Sequence, residues 1–142
     1  MPKLLFTGAT AGMVAALLAF SPSAHASDWN CSDAGSLPQQ GMNYCAHQDY
    51  LAADAELNAV YKRVRAAVAK MDYGGRPDGK PEVDVLRDAQ RAWIKFRDLA
   101  CDMEGIHMRG GTMERLLVSA CLEEKTRQRI KDLRYLIDVE GR

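Results

Sequence analysis

Apolar residues recur along this chain at helical rather than strand-like intervals. From Met42 onward, Ala46, Tyr50, Ala53, Leu57, Val60, Tyr61, Val64, Val68 and Met71 follow at steps of three and four. They gather on one stripe and leave Lys62, Arg63 and Arg65 facing water. Upstream, Ser36-Leu37-Pro38-Gln39 has the form of a capping box, so the first helix is expected to start with Ser36 as its cap and to have room for a kink near Gly41. The run DYGGRPDGKP, residues 72–81, concentrates glycine and proline and predicts a surface loop. Pro81 suits a first helical position, Glu82 and Asp84 complement the helix dipole, and Leu86, Ala89, Trp93, Phe96 and Ala100 continue an apolar face to about residues 103–107. After Gly110-Gly111, Thr112 is a suitable cap for a third helix. Its apolar side comprises Leu116, Leu117, Ala120, Ile130, Leu133 and Ile137 and ends at Gly141. No stretch alternates with period two, and no internal repeat or low-complexity tract is present. The pattern predicts an all-α fold, a small antiparallel bundle of about three long helices.

The N-terminus changes the setting. Lys3, the apolar run over residues 13–20 and the small-residue site Ala24-His25-Ala26 read as an export signal over residues 1–26, leaving a single domain over residues 27–142 that begins at Ser27. The apolar run is shorter than the roughly 20 residues a spanning helix needs, so no stable membrane insertion is expected. Removing the signal takes away Lys3 alone among charged residues. Of 19 basic and 19 acidic residues, 18 and 19 remain, a net charge of −1 that argues against a nucleic-acid partner.

Export also decides how the cysteines are read. An even number in a small exported domain predicts two disulfides among Cys31, Cys45, Cys101 and Cys121. Three pairings are possible. The favoured one joins 31 to 45 and 101 to 121, because each bridge then closes a loop between neighbouring segments, worth about 3 kcal/mol in the chain-entropy model. Zinc fits poorly, with no C-x-x-C and only His47 and His107 after the signal, and no metal or cofactor is expected.

Catalytic chemistry is hard to place. There is no G-x-S-x-G, H-E-x-x-H, P-loop or C-x-x-C-H, and oxidised cysteines cannot act as thiolate nucleophiles, so no catalytic residue is assigned. Polar residues on or beside the apolar stripes are more informative. Asp54, Asn58 and Tyr61 lie on neighbouring turns of the first helix, Gln90, Trp93 and Arg97 share a face of the second, and Thr126 and Arg129 belong to the third. They predict an interhelical network that fixes register, with Arg97 answering Asp54.

These residues also carry a resemblance. MNYCAHQDYLAADAELNAVYKRV, LRDAQRAWIKFRDLAC, a Gly-Gly turn and CLEEKTRQRIKDL together resemble the LprI-type lysozyme-inhibitor family across nearly all of the chain after the signal. The family's cysteines match Cys45, Cys101 and Cys121, with Cys31 as the upstream partner. Its Asp, Leu, Asn and Tyr match Asp54, Leu57, Asn58 and Tyr61, its Gln, Trp and Arg match Gln90, Trp93 and Arg97, and its Thr-x-x-Arg matches Thr126 and Arg129. The resemblance implies a periplasmic or secreted helical protein whose partner is a lysozyme or other muramidase. The alternative is an interaction module, such as the immunity partner of a toxin or a subunit of an envelope complex. For a muramidase inhibitor the expected contact surface is the loop over residues 104–111, with Glu104, His107 and Arg109; the other reading of that loop is a plain helix connector with His107 capping the helix end. The loop around Arg76 is the second exposed candidate.

Overall fold

The computed structural model describes residues 29–71 and 75–138. The expected signal over residues 1–26, part of the loop at 72–81 and the helix stop at Gly141 lie outside them. A 3-10 turn, Cys31–Ser36, leads into α1, Gln39–Val68; α2 spans Glu82–Glu104, a second 3-10 turn spans Ile106–Met108, and α3 covers Thr112–Asp138. Among the described residues there is no strand. Successive helices run antiparallel, so α1 and α3 are parallel, and these two form the most extensive contact. The all-α bundle expected from the period is the observed fold. Its core is Leu57, Val60 and Val64 of α1, Leu86 of α2, and Ile130 and Leu133 of α3.

Both favoured disulfides are formed, Cys31 to Cys45 and Cys101 to Cys121. The first ties the N-terminal turn to α1. The second joins the end of α2 to α3 through two buried cysteines.

Three local expectations are corrected. Ser36 does not cap α1: its Oγ donates to the Asp33 carbonyl at 2.9 Å and closes the 3-10 turn. The reason is Pro38, which disfavours a helical Leu37; Leu37 is extended at φ −79°, ψ 152°, so α1 cannot start before the proline, and Pro38 itself is the extended N-cap residue. No kink occurs at Gly41, through which α1 continues. The glycine is needed for close approach instead, because a Cβ there would meet the Leu37 Cβ at 2.9 Å and the Trp29 ring at 3.0 Å. Gly41→Ala should therefore lower stability by about 1–2 kcal/mol through overpacking, despite alanine's better helix propensity, and denaturant unfolding followed by tryptophan fluorescence measures it.

The third correction concerns α2. Phe96 and Ala89 point to solvent, and the inward face is Leu86, Gln90, Trp93, Arg97 and Cys101. Two of these five inward residues, Gln90 and Arg97, are polar, so hydrophobicity alone rotates the helix's assignment. On α3, Ala120 is likewise exposed.

Candidate functional site

The inward face of α2 is built around Arg97. Its side chain is 5% exposed, and each polar edge of the guanidinium is occupied. Nη1 donates to Asp54 Oδ1 at 3.0 Å and to Thr126 Oγ1 at 3.1 Å, Nη2 to the Tyr50 hydroxyl at 3.3 Å, and Nε to Asp98 Oδ1 at 2.9 Å. One side chain thus ties all three helices together in the middle of the bundle. Burial acts to lower the Arg97 pKa, but the hydrogen bonds to Asp54 and Asp98 outweigh it and the pKa ends above its ordinary value. Burial raises that of the Tyr50 hydroxyl, against the opposing pull of Arg97.

A second layer sits one turn further along. Arg129 Nε donates to Gln90 Oε1 at 3.0 Å, and both guanidiniums approach the Trp93 ring, Arg97 at 5.2 Å and Arg129 at 5.7 Å from its centre. Arg129 has no ion pair among the described residues, and burial lowers its pKa. Asn58 donates to the Asp54 carbonyl at 2.9 Å and to its carboxylate at 3.1 Å, holding that carboxylate toward Arg97. Tyr61 packs against the apolar core. Asp54, Gln90, Trp93, Arg97, Thr126 and Arg129 make contacts between helices, whereas Asn58 is exposed and bonds only within α1 and Tyr61 contributes packing. Among the described residues, no buried side-chain nitrogen or oxygen lacks a partner.

The end of the bundle carrying the 101–121 bridge is different in character. Glu104, His107 and Arg109 are all exposed there, on the turn between α2 and α3. Arg109 is not a free donor. Its Nη2 donates to Asp102, at 3.1 Å to the carboxylate and 3.3 Å to the carbonyl. Gly110 takes a positive φ of 79° at the tip, and its N–H donates to Glu114 Oε2 at 2.6 Å. The tip is thereby fixed from both sides. Arg76 lies at the opposite end of the molecule, paired with Asp78 and Glu82, so the structure does not bring it together with the other three.

Beside the tip, between the first halves of α1 and α3, runs an open groove of about 800 Å³. Tyr44, His47 and Tyr50 form one wall, and Glu114, Arg115 and Leu122 the other, with Asp102 at its end. The His47 and Tyr50 rings are tilted with their centres 6.1 Å apart. Asn43, which also lines the groove, donates to the Thr112 carbonyl at 2.9 Å and links α1 to α3. Sequence reasoning missed this site. The available signal was the three-residue spacing of Tyr44, His47 and Tyr50 beside the cysteine stripe, but its partners on α3 are about 70 residues away.

Chemically, the groove offers aromatic surface with hydroxyl, imidazole, carboxylate and guanidinium groups at its edges, the mixture that anchors a protruding segment of a protein partner. Among the described residues no three His, Cys, Asp or Glu side chains converge to hold a metal. None of the described helices is long and apolar enough to cross a membrane.

The described residues form a three-helix domain stapled by two disulfides, with a polar central layer and a groove beside the end that carries the 101–121 bridge. The lysozyme inhibitor LprI family model matches residues 31–133, and the chain belongs to that family. It is 44% identical over 109 residues to an uncharacterised protein of Rhizobium meliloti (strain 1021), an alignment covering 70% of this chain and 74% of that relative. It is also 33% identical over 61 residues to the uncharacterised protein YecT of Escherichia coli (strain K12), covering 42% of this chain and 37% of YecT. No solved structure matches the chain.

Proposed function

We propose that this protein is an exported inhibitor that binds a muramidase-type cell-wall hydrolase through the end of the bundle bearing the 101–121 bridge. The observation that carries the reading is membership of the lysozyme-inhibitor family across residues 31–133. The two disulfides support export. On this reading residues 1–26 are the removed signal, which N-terminal sequencing of the secreted protein checks by finding Ser27 first.

The target's catalytic cleft is built on two carboxylates, one of which is ionised, so a blocking protein must offer hydrogen-bond donors on a stiff support. His107 and Arg109 are the donors at the tip. The Arg109–Asp102 pair is exposed on both sides and thus worth little, so Arg109 can exchange Asp102 for a carboxylate of the target at small cost. Tyr44 and His47 then receive a neighbouring protrusion of the enzyme, adding area that the tip alone lacks.

Two variants test the two halves of this surface. His107→Ala with Arg109→Ala, and Tyr44→Ala with His47→Ala, should each leave helicity intact and weaken inhibition at least about tenfold, about 1.4 kcal/mol of binding. The assay is lysis of cell-wall substrate by a purified muramidase titrated with each protein. Undiminished inhibition by both well-folded pairs would place the contact elsewhere. A wild-type protein inactive against every muramidase tried would instead favour an interaction module of the envelope.

A further inference from the structure

The outward face of α2 carries a second, unpartnered pattern. Ala89, Ala92, Phe96, Leu99 and Met103 of α2 follow one another at steps of three, four, three and four, Ile106 comes next in the 3-10 turn after the helix, and all six are exposed. The last four are large: Phe96 is 63% exposed, Leu99 and Met103 each 58%, and Ile106 42%. A strict three-four alternation on a helix is the seam of a coiled-coil pair and not a scatter of surface apolar residues.

We infer that this stripe is where a second copy of the chain docks, with the two α2 helices packed antiparallel and crossing near residue 98. The stripe is complementary to itself in size in that orientation only. Phe96 then faces the partner's Leu99, Met103 faces the partner's Ala92, and Ile106 faces the partner's Ala89, so a large side chain meets a small one toward each end and two large ones meet in the centre. A parallel pair would set Ala92 against the same alanine and leave a void beside a Phe–Phe contact.

The flanking charges select the same orientation. Lys95 and Asp102 border the stripe on the same side, both exposed; Lys95 has no ion pair among the described residues, and Asp102 pairs with Arg109 through an exposed contact that it can share or exchange. Antiparallel packing places Lys95 opposite the partner's Asp102, and the symmetry repeats that pair. Parallel packing would bring Lys95 to the partner's Ala100.

The exposed parts of the four large residues amount to roughly 400 Å² per copy, and Ala89, Ala92 and the flanking Lys95 and Asp102 add to it, so the dimer buries on the order of 1,000 Å², the lower bound for a specific interface, and a micromolar affinity is expected. Of the proposed muramidase-contact residues, His107, Arg109, Tyr44 and His47 are not seam positions, although the seam reaches the tip through Ile106 and the edge of the groove through Asp102.

Sedimentation equilibrium of the full chain, oxidised at both disulfides, tests this from about 1 µM to about 200 µM, which brackets the affinity expected of so small an interface. The wild type should convert from monomer to dimer within that range. Leu99→Glu, on an exposed position, should weaken association at least about tenfold with unchanged circular dichroism. Lys95→Glu should weaken it several-fold, and Lys95→Glu combined with Asp102→Lys should restore it. A wild type that stays monomeric throughout, or a dimer untouched by Leu99→Glu, overturns the proposal; the former would leave the stripe to a different protein. A dimer that loses nothing with Lys95→Glu, or that the charge swap fails to restore, overturns the antiparallel pairing. No muramidase enters these measurements, so their outcome is separate from that of the inhibition assay.

Discussion

Arg97→Ala should lower the stability of the domain by about 3 kcal/mol, or the melting temperature by roughly 10 °C. The size follows from what is left behind. Thr126 is fully buried and Tyr50 partly so; each loses a hydrogen-bond partner, and the space vacated beside Trp93 cannot be filled by its neighbours without shifting α2. Asp54 contributes less to the loss, because its side chain is 35% exposed and water can solvate the stranded carboxylate. Arg97→Lys should recover only part of the stability. An ammonium has no planar fork with which to serve Asp54, Thr126, Tyr50 and Asp98 together. Thermal unfolding by circular dichroism decides the matter. An unchanged melting temperature in Arg97→Ala, with partner binding lost, would move this residue from the scaffold to the contact surface.

The same arginine shows why part of the fold was legible in the sequence and part was not. On α1 the period places Ala53, Leu57, Val60 and Val64 inside, because that helix buries apolar side chains against α3 and pattern and burial coincide. On α2 they separate. Gln90 and Arg97 take inward positions because Asp54, Thr126 and Arg129 are there to satisfy them, and Phe96 is turned to solvent. A hydrophobicity scale assigns Phe96 inside and Arg97 outside; only hydrogen-bond partners from other helices reverse it, and those are tertiary facts. The disulfide pairing was legible because each bridge closes a short loop. The groove was not, since its walls come from two parallel helices with all of α2 between them in the sequence.

Removing the Cys101–Cys121 bridge should have a comparable effect on stability and a larger one on binding. The bridge closes a loop of 20 residues, and the double change Cys101→Ala with Cys121→Ala should cost about 3 kcal/mol in the chain-entropy model. Both cysteines are buried, so the lost packing acts in the same direction. The Cys31–Cys45 bridge, separated by 14 residues, has a similar entropic value, yet it secures only the N-terminal turn, through an exposed Cys31. The two double mutants should therefore unfold at similar denaturant concentrations and differ in function. Without the 101–121 bridge, the end of α2 is free to move against α3. The tip held by Arg109–Asp102 and Gly110–Glu114 then loses the fixed frame on which His107 and Arg109 are presented, and ordering it again on docking costs affinity. Muramidase inhibition should fall at least about tenfold in Cys101→Ala/Cys121→Ala and by much less in Cys31→Ala/Cys45→Ala. Equal inhibition by the two double mutants, each measured below its unfolding transition, would mean that the target does not read the stapled end of the bundle.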